Sequence, residues 1–174
     1  MRDCRRFQRM KTLLVIEFGD ARAADLVEHE VAARLSLHVR IEKMPMPKTK
    51  TRGWQVSGED MLSEVSRVRA QADADYAVGF LKDDIFVPDM SFVFGLATRD
   101  GRAAIVSTHR LSSPQPEVFR ARLTKEVFHE LGHVLGLGHC EDSRCVMHFS
   151  NTLADTDTKG AAFCARCQPK LESG

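Results

Sequence analysis

The sequence predicts an α/β domain with α+β-like character: a mixed, mostly parallel five-stranded twisted sheet, one long helix and a cysteine-bearing C-terminal segment. Three observations lead there. The first 41 residues run apolar strand, amphipathic helix, alternating strand, and that β-α-β order implies a right-handed crossover between parallel strands. Arg99-Asp100-Gly101-Arg102 separates two further apolar runs with an Asp-Gly hairpin signal, so those two strands are expected to be antiparallel neighbours. Phe119, Leu123, Val127, Leu131 and Leu135 recur every four positions, which on a helix makes one continuous core-facing stripe.

Each element has its own signal. Thr12 to Phe18 is a short apolar run closed by Gly19-Asp20 and suits a buried strand. A helix is expected from Ala21 to Leu35, with Leu26, Val27, Val31 and Leu35 turned inward. Leu37 to Ile41 alternates as a second strand. Met44-Pro45-Met46-Pro47 breaks the pattern, and Lys48 to Gly53 is a polar connection. Trp54 to Ser57 reads as a short extended piece in which Trp54 packs rather than meets a ligand. Gly58-Glu59-Asp60 opens a helix running to about Ala72. Tyr76 to Leu81 is the third strand, and Lys82-Asp83-Asp84 and Pro88-Asp89 frame a loop. Ser91 to Ala97 is the fourth strand and the expected sheet edge; Ala103 to Thr108 is the fifth. Ser113 is the expected N-cap of the long helix, with prolines in its first turn.

A length of 174 residues suits a single domain. Within it, residues 1–11 are expected to be flexible, 12–138 to form the sheet and long helix, and 139–174 to form the cysteine segment. The charged fraction is 28% and the net charge +1, so no electrostatically driven nucleic-acid or membrane partner is expected. The basic cluster Arg2, Arg5, Arg6, Arg9 and Lys11 reads as a solvated end. The run Leu13 to Ile16 behind it is too short for a signal peptide, and no segment approaches the roughly 18 apolar residues of a membrane span. A cytoplasmic monomer with reduced cysteines is expected.

The chemistry concentrates in His129-Glu130-Leu131-Gly132-His133-Val134-Leu135-Gly136-Leu137-Gly138-His139, an HExxHxxGxxH pattern. His129 and His133 share a helix face and can grip one zinc ion, while Glu130 can reach a water on that ion without ligating it. Gly136 lets the chain leave the helix through a left-handed residue and bring His139 back as the third ligand. Chance produces the full pattern in a chain this long about once in ten thousand. Four of the five cysteines, Cys140, Cys145, Cys164 and Cys167, follow as C-x4-C and C-x2-C, a spacing that favours a structural zinc over two disulfides in a reducing compartment. Two zinc ions per chain are expected, with Cys4 left as a free thiol.

HExxHxxGxxH with a downstream methionine resembles the metzincin clan of zinc peptidases. The longer string closely resembles the archaemetzincin family: His139-Cys140, four residues to Cys145, then Cys145-Val146-Met147 and Cys164-Ala165-Arg166-Cys167. Ser91 to Ala97 and Ser107 to Leu111 are similar to that family's edge strand and following strand, so the resemblance covers the chain from about residue 75. It implies a metzincin-type zincin whose edge strand borders a substrate cleft above the active-site helix. It also implies a catalytic zinc on His129, His133 and His139, Glu130 as general base, Met147 as a non-ligating Met-turn under the imidazoles, and a second zinc on the four cysteines. Two departures are visible. The gap from Met147 to Cys164 is one residue shorter than in the family, in the polar stretch Asp155 to Lys159 where a deletion is expected to be tolerated. The only tyrosine is Tyr76, so none follows Met147.

The expected function is therefore zinc-dependent hydrolysis of peptide bonds in a peptide or protein substrate held against the edge strand. The alternative is a catalytically silent zinc protein serving as a peptide-binding or interaction module; an intact Glu130 argues against it, since binding needs no base. Glu126, one turn before His129, fits a hydrogen-bonding role beside the site as well as a solvated one. His148 is expected not to ligate, His29 and His38 to be structural or exposed, and His109 to lie where it can approach the cleft.

Overall fold

The computed structural model describes residues 9–98 and 102–172. Expectations placed on residues 1–8, including Cys4, and on the Asp100-Gly101 turn lie outside them. The elements in order are β1 (Thr12–Phe18), α1 (Ala24–Leu35), β2 (His38–Met44), β3 (Thr51–Arg52), β4 (Gln55–Ser57), α2 (Gly58–Gln71), β5 (Tyr76–Leu81), β6 (Ile85–Val87), β7 (Met90–Val93), β8 (Gly95–Ala97), β9 (Ala103–Ser107), α3 (Pro116–Val134), α4 (Leu153–Thr158) and α5 (Gln168–Glu172). Among the described residues no helix is long and apolar enough to cross a membrane.

The main sheet has five strands in the order β2-β1-β5-β9-β8. Its β2–β1, β1–β5 and β5–β9 junctions are parallel, and β8 pairs antiparallel with β9. Side chains alternate between the faces. Leu13, Val15, Val78, Phe80 and Val106 join the core formed with α1 and α3, whereas Leu14, Ile16, Phe18, Leu81 and Ile105 meet Met61, Val65 and Val68 of α2. Helix α1 starts at Ala24 rather than Ala21, because the buried Glu17 carboxylate accepts the amides of Ala23 and Ala24 at 2.6 and 2.9 Å. The cap comes from the strand, not from the helix's own sequence.

Three features depart from the sequence reading. Residues 82–89 are not a plain loop: β6 joins β3, β4 and β7 in a second sheet ordered β3-β4-β6-β7. These strands are two to four residues long, running from the exposed β3 to the buried β4, and are too short to show a period of two. Ser91 to Ala97 is not one strand; it changes sheets at the buried Phe94, so β7 lies in the second sheet and only β8 forms the edge of the first. Ser113 is not the N-cap of α3. Gln115 is, held extended at φ −90°, ψ 115° by the proline that follows it, while the Ser113 hydroxyl accepts the Gln115 amide at 3.2 Å.

Candidate active site

Helix α3 carries its anchor and two candidate ligands on neighbouring faces. Leu123, Val127 and Leu131 are fully buried, and His129 and His133 project beside them. The helix ends in a Schellman turn: Leu137 donates its amide to the Gly132 carbonyl at 2.8 Å and Gly136 to the His133 carbonyl at 2.9 Å. Gly136 sits at φ +90°, which a side chain would strain. The turn reverses the chain and returns His139, so that ligand atoms of His129, His133 and His139 all lie within 4.8 Å of one another.

The nitrogen atoms are pre-assigned. His129 donates Nδ1–H to the Val146 carbonyl at 2.9 Å and His133 to the Leu137 carbonyl at 2.8 Å, which leaves each Nε2 with a lone pair. Those two Nε2 atoms face each other at 3.2 Å. Two acceptors have no hydrogen to share, but bonds of about 2.0–2.1 Å to a tetrahedral zinc would set them roughly 3.3 Å apart. The donor set therefore fits the ion. Burial first, and the Lys159 charge next, push His129 down to about 3, and burial lowers His133 and His139 too, so all three are neutral at pH 7 as ligands must be.

Glu130 is buried beside them and reaches the edge strand. A Cβ on Gly95 of β8 would lie 2.5 Å from Glu130 Oε1, so only glycine lets the strand backbone come this close to the carboxylate. Gly95, His129, Glu130, Phe94, Phe149 and Asn151 are among the residues lining a narrow crevice of about 50 Å³. Burial, and then the charge of Glu126, raise the Glu130 carboxyl well above its ordinary value, against the opposing pull of Lys159. Glu126 itself is buried rather than solvated. It accepts from the Lys159 ammonium at 3.0 Å and the Thr156 hydroxyl at 3.2 Å, and Lys159 is 2% exposed. The stretch 155–159 is thus not a passive connection: α4 opens with a Thr152–Asp155 capping box and ends by inserting this lysine beside the site.

Met147 lies under the helix with its sulfur against Gly132, where a Cβ would overlap it, which accounts for the small residue between His129 and His133. Around it the backbone is wired to both clusters. Val146 O receives His129, and Cys140 N donates to Met147 O at 2.9 Å. His148 turns its Nδ1 to Cys140 O at 3.0 Å, away from the imidazole trio. Cys140, Cys145, Cys164 and Cys167 form the second group, also within 4.8 Å, all as free thiols. Cys140 Sγ and Cys164 Sγ are 3.8 Å apart, the separation that bonds of about 2.3 Å to a tetrahedral zinc produce. Hydrogen bonds, the Arg166 amide's foremost, lower Cys164 to about 6, while burial pushes Cys167 up to about 12.

The sequence reading missed Lys159, Gly95 and the exposure of Trp54. A lone lysine and a lone glycine carry no spacing signal; both acquire meaning only by contact with Glu126 and Glu130. Trp54 does not pack into the core: it is 63% exposed and meets the ring of His109 at 5.0 Å.

Comparison with known proteins matches residues 27–173 to the model of peptidase family M54. Archaemetzincin from Methanopyrus kandleri is 45% identical over 102 residues, covering 59% of this chain and 58% of the relative. Archaemetzincin from Pyrococcus horikoshii is 41% identical over 124 residues, covering 68% and 66%. The matched stretches thus span under two thirds of these relatives' lengths. Among solved structures, archaemetzincin from M. kandleri superposes with a TM-score of 0.84 at 33% identity, covering 95% of this chain and 96% of that one. A zinc-dependent peptidase from Methanocorpusculum labreanum gives 0.78 at 25% identity, covering 91% and 99%.

Proposed function

The chain belongs to peptidase family M54, and from that membership we propose that it is a zinc metallopeptidase, with His129, His133 and His139 as ligands of the catalytic ion and Glu130 as its general base. The observation that carries the proposal is the pair of facing Nε2 atoms at 3.2 Å, each locked into the acceptor tautomer by a backbone carbonyl. Zinc bound there supplies a Lewis acid for the peptide carbonyl and acidifies a water to near neutrality, with a pKa of about 7. Glu130 takes the proton of the attacking water and returns it to the leaving amine; its raised proton affinity suits both transfers. Gly95 presents the β8 edge to an extended peptide or protein substrate directly above that carboxylate. Cys140, Cys145, Cys164 and Cys167 hold a second, structural zinc, supported by four free thiols within 4.8 Å of one another and by the 3.8 Å between Cys140 and Cys164, and Met147 floors the imidazole trio. Those thiols suit a reducing compartment such as the cytoplasm.

The test combines metal content with turnover. Two zinc ions per chain and cleavage of quenched peptides are expected. Glu130→Ala should lower cleavage by a factor on the order of 10²–10⁴ while both metals and the melting temperature stay put. Full turnover by that variant would sink the assignment of the base. One zinc and no cleavage of any peptide would favour a silent peptide-binding module.

A further inference from the structure

We propose that a second cavity, opening beside the Glu130 crevice, is a side-chain pocket that selects a large apolar or aromatic residue flanking the scissile bond, with Trp54 as its selecting wall. This rests on the peptidase reading above. The cavity holds about 560 Å³, within the range of roughly 300–1,000 Å³ for ligand pockets, and shares Phe92, Phe94 and Asn151 with the crevice at Glu130. A peptide added to the β8 edge turns alternate side chains to opposite faces, so one residue near the cleaved bond is carried towards this cavity.

The lining sets the chemistry of the occupant. Trp54 and His109 form one wall, and Phe92 and Phe94, edge to face at 5.4 Å, form another with Leu153. Arg110 is the one lining residue with a fixed charge, and that charge is already engaged. It makes two 2.8 Å bonds to the buried Asp84 and lies over the Phe92 ring at 3.8 Å. An acidic side chain would have to compete with a bidentate carboxylate, whereas an apolar one finds aromatic surface on two sides.

The exposed surface agrees. Among the described residues four large hydrophobic side chains are exposed, and three of them, Trp54, Met90 and Phe149, line this cavity or the crevice. Apolar surface gathered at one opening, rather than scattered, marks a binding site. The platform is also held in place: Arg52, beside it in the β3–β4 hairpin, donates to the carbonyls of Met90 and Ser91 at 3.1 and 2.6 Å and covers the Phe86 ring. The second sheet, which packs Val56 and Ile85 into the core beneath α2, thereby also serves as the support of the pocket.

Trp54 is the only tryptophan of the chain, so its fluorescence reports the pocket directly. In the zinc-loaded Glu130→Ala protein, hexapeptides differing at one position flanking the scissile bond are titrated. Phe and Leu peptides should shift the emission to the blue and lower its quenching by acrylamide, while Ala and Asp peptides do neither. The active enzyme should cleave the Phe peptide at least about tenfold faster than the Ala peptide. Trp54→Ala should collapse that ratio to threefold or less, and Trp54→Phe should restore most of it. Equal fluorescence responses to all four peptides, or an undiminished ratio in Trp54→Ala, would overturn the pocket. Undiminished cleavage by Glu130→Ala would instead strike the proposed base, and the fluorescence shifts would still decide the pocket.

Discussion

The histidine and cysteine clusters adjoin on one backbone, His139 preceding Cys140, yet they are built on opposite plans. The histidine cluster offers three nitrogens, with His139 exposed and a crevice holding Glu130 on the open side. The cysteine cluster offers four sulfurs, with Cys145 and Cys167 buried. A fourth protein ligand closes a metal's coordination and leaves it structural; a missing one leaves room for chemistry. The closed cluster also holds the open one. Cys145 is followed by Val146, whose carbonyl fixes the His129 tautomer, and Cys140 donates to Met147, which floors the histidines. The largest effect is therefore expected from the cluster that takes no part in the reaction. Cys164→Ser should release one zinc equivalent and cost on the order of 5 kcal/mol or more, because structural-zinc binding is folding energy. Thermal melting with parallel metal analysis reads both. A full complement of zinc and an unmoved melt would break the contrast between a chemical and a structural cluster.

The two regions meet again at Lys159, which reaches from the end of α4 to Glu126 on α3. Both partners are almost fully buried, so removing one leaves the other as an unpaired charge in the interior. Lys159→Met is expected to cost about 3–5 kcal/mol, and the double variant Lys159→Met/Glu126→Leu to recover most of it. Denaturant unfolding of the single and double variants gives the coupling directly. A single-variant cost below about 1 kcal/mol would show that the pair does not join α4 to the active-site helix.

Much of this arrangement was legible in the sequence, and the reason lies in period and spacing. The buried strands β1, β5 and β9 show as unbroken apolar runs, and the α3 stripe as a repeat of four, because deep burial leaves no freedom in residue type. The four cysteines and three histidines show because a set of side chains that could hold one ion recurs at fixed intervals along the chain, and each set gathers within 4.8 Å. What stayed hidden depends on contacts between distant positions. The β3–β4–β6–β7 sheet is made of fragments too short for a pattern, and the switch of sheets at Phe94 falls inside an apparently continuous run. Lys159 looks like one more charge in a polar stretch until α4 turns it inward to Glu126. Gly95 is one of eleven glycines, and only the Glu130 carboxylate against it says why it cannot be another residue.

The smallest of the expected effects separates the clusters by pH. Burial lowers His129 from an unfolded value near 6.5 to about 3. Between those values the unfolded chain binds a proton that the folded imidazole refuses. Stability from this group is therefore complete above about pH 6.5 and is lost as the pH falls towards 3. Once a mild chelator has emptied the histidine cluster, moving from pH 7.5 to pH 5 should cost about 2 kcal/mol through His129. His129→Gln, which carries no such proton, should flatten the slope by that amount in denaturant titrations at the two pH values. Reloading the zinc should flatten it in the native protein too, since a bound cation holds the imidazoles neutral. An equal slope in native and His129→Gln proteins would mean that the open cluster is hydrated enough to accept protons. Its readiness to bind metal would then owe nothing to burial.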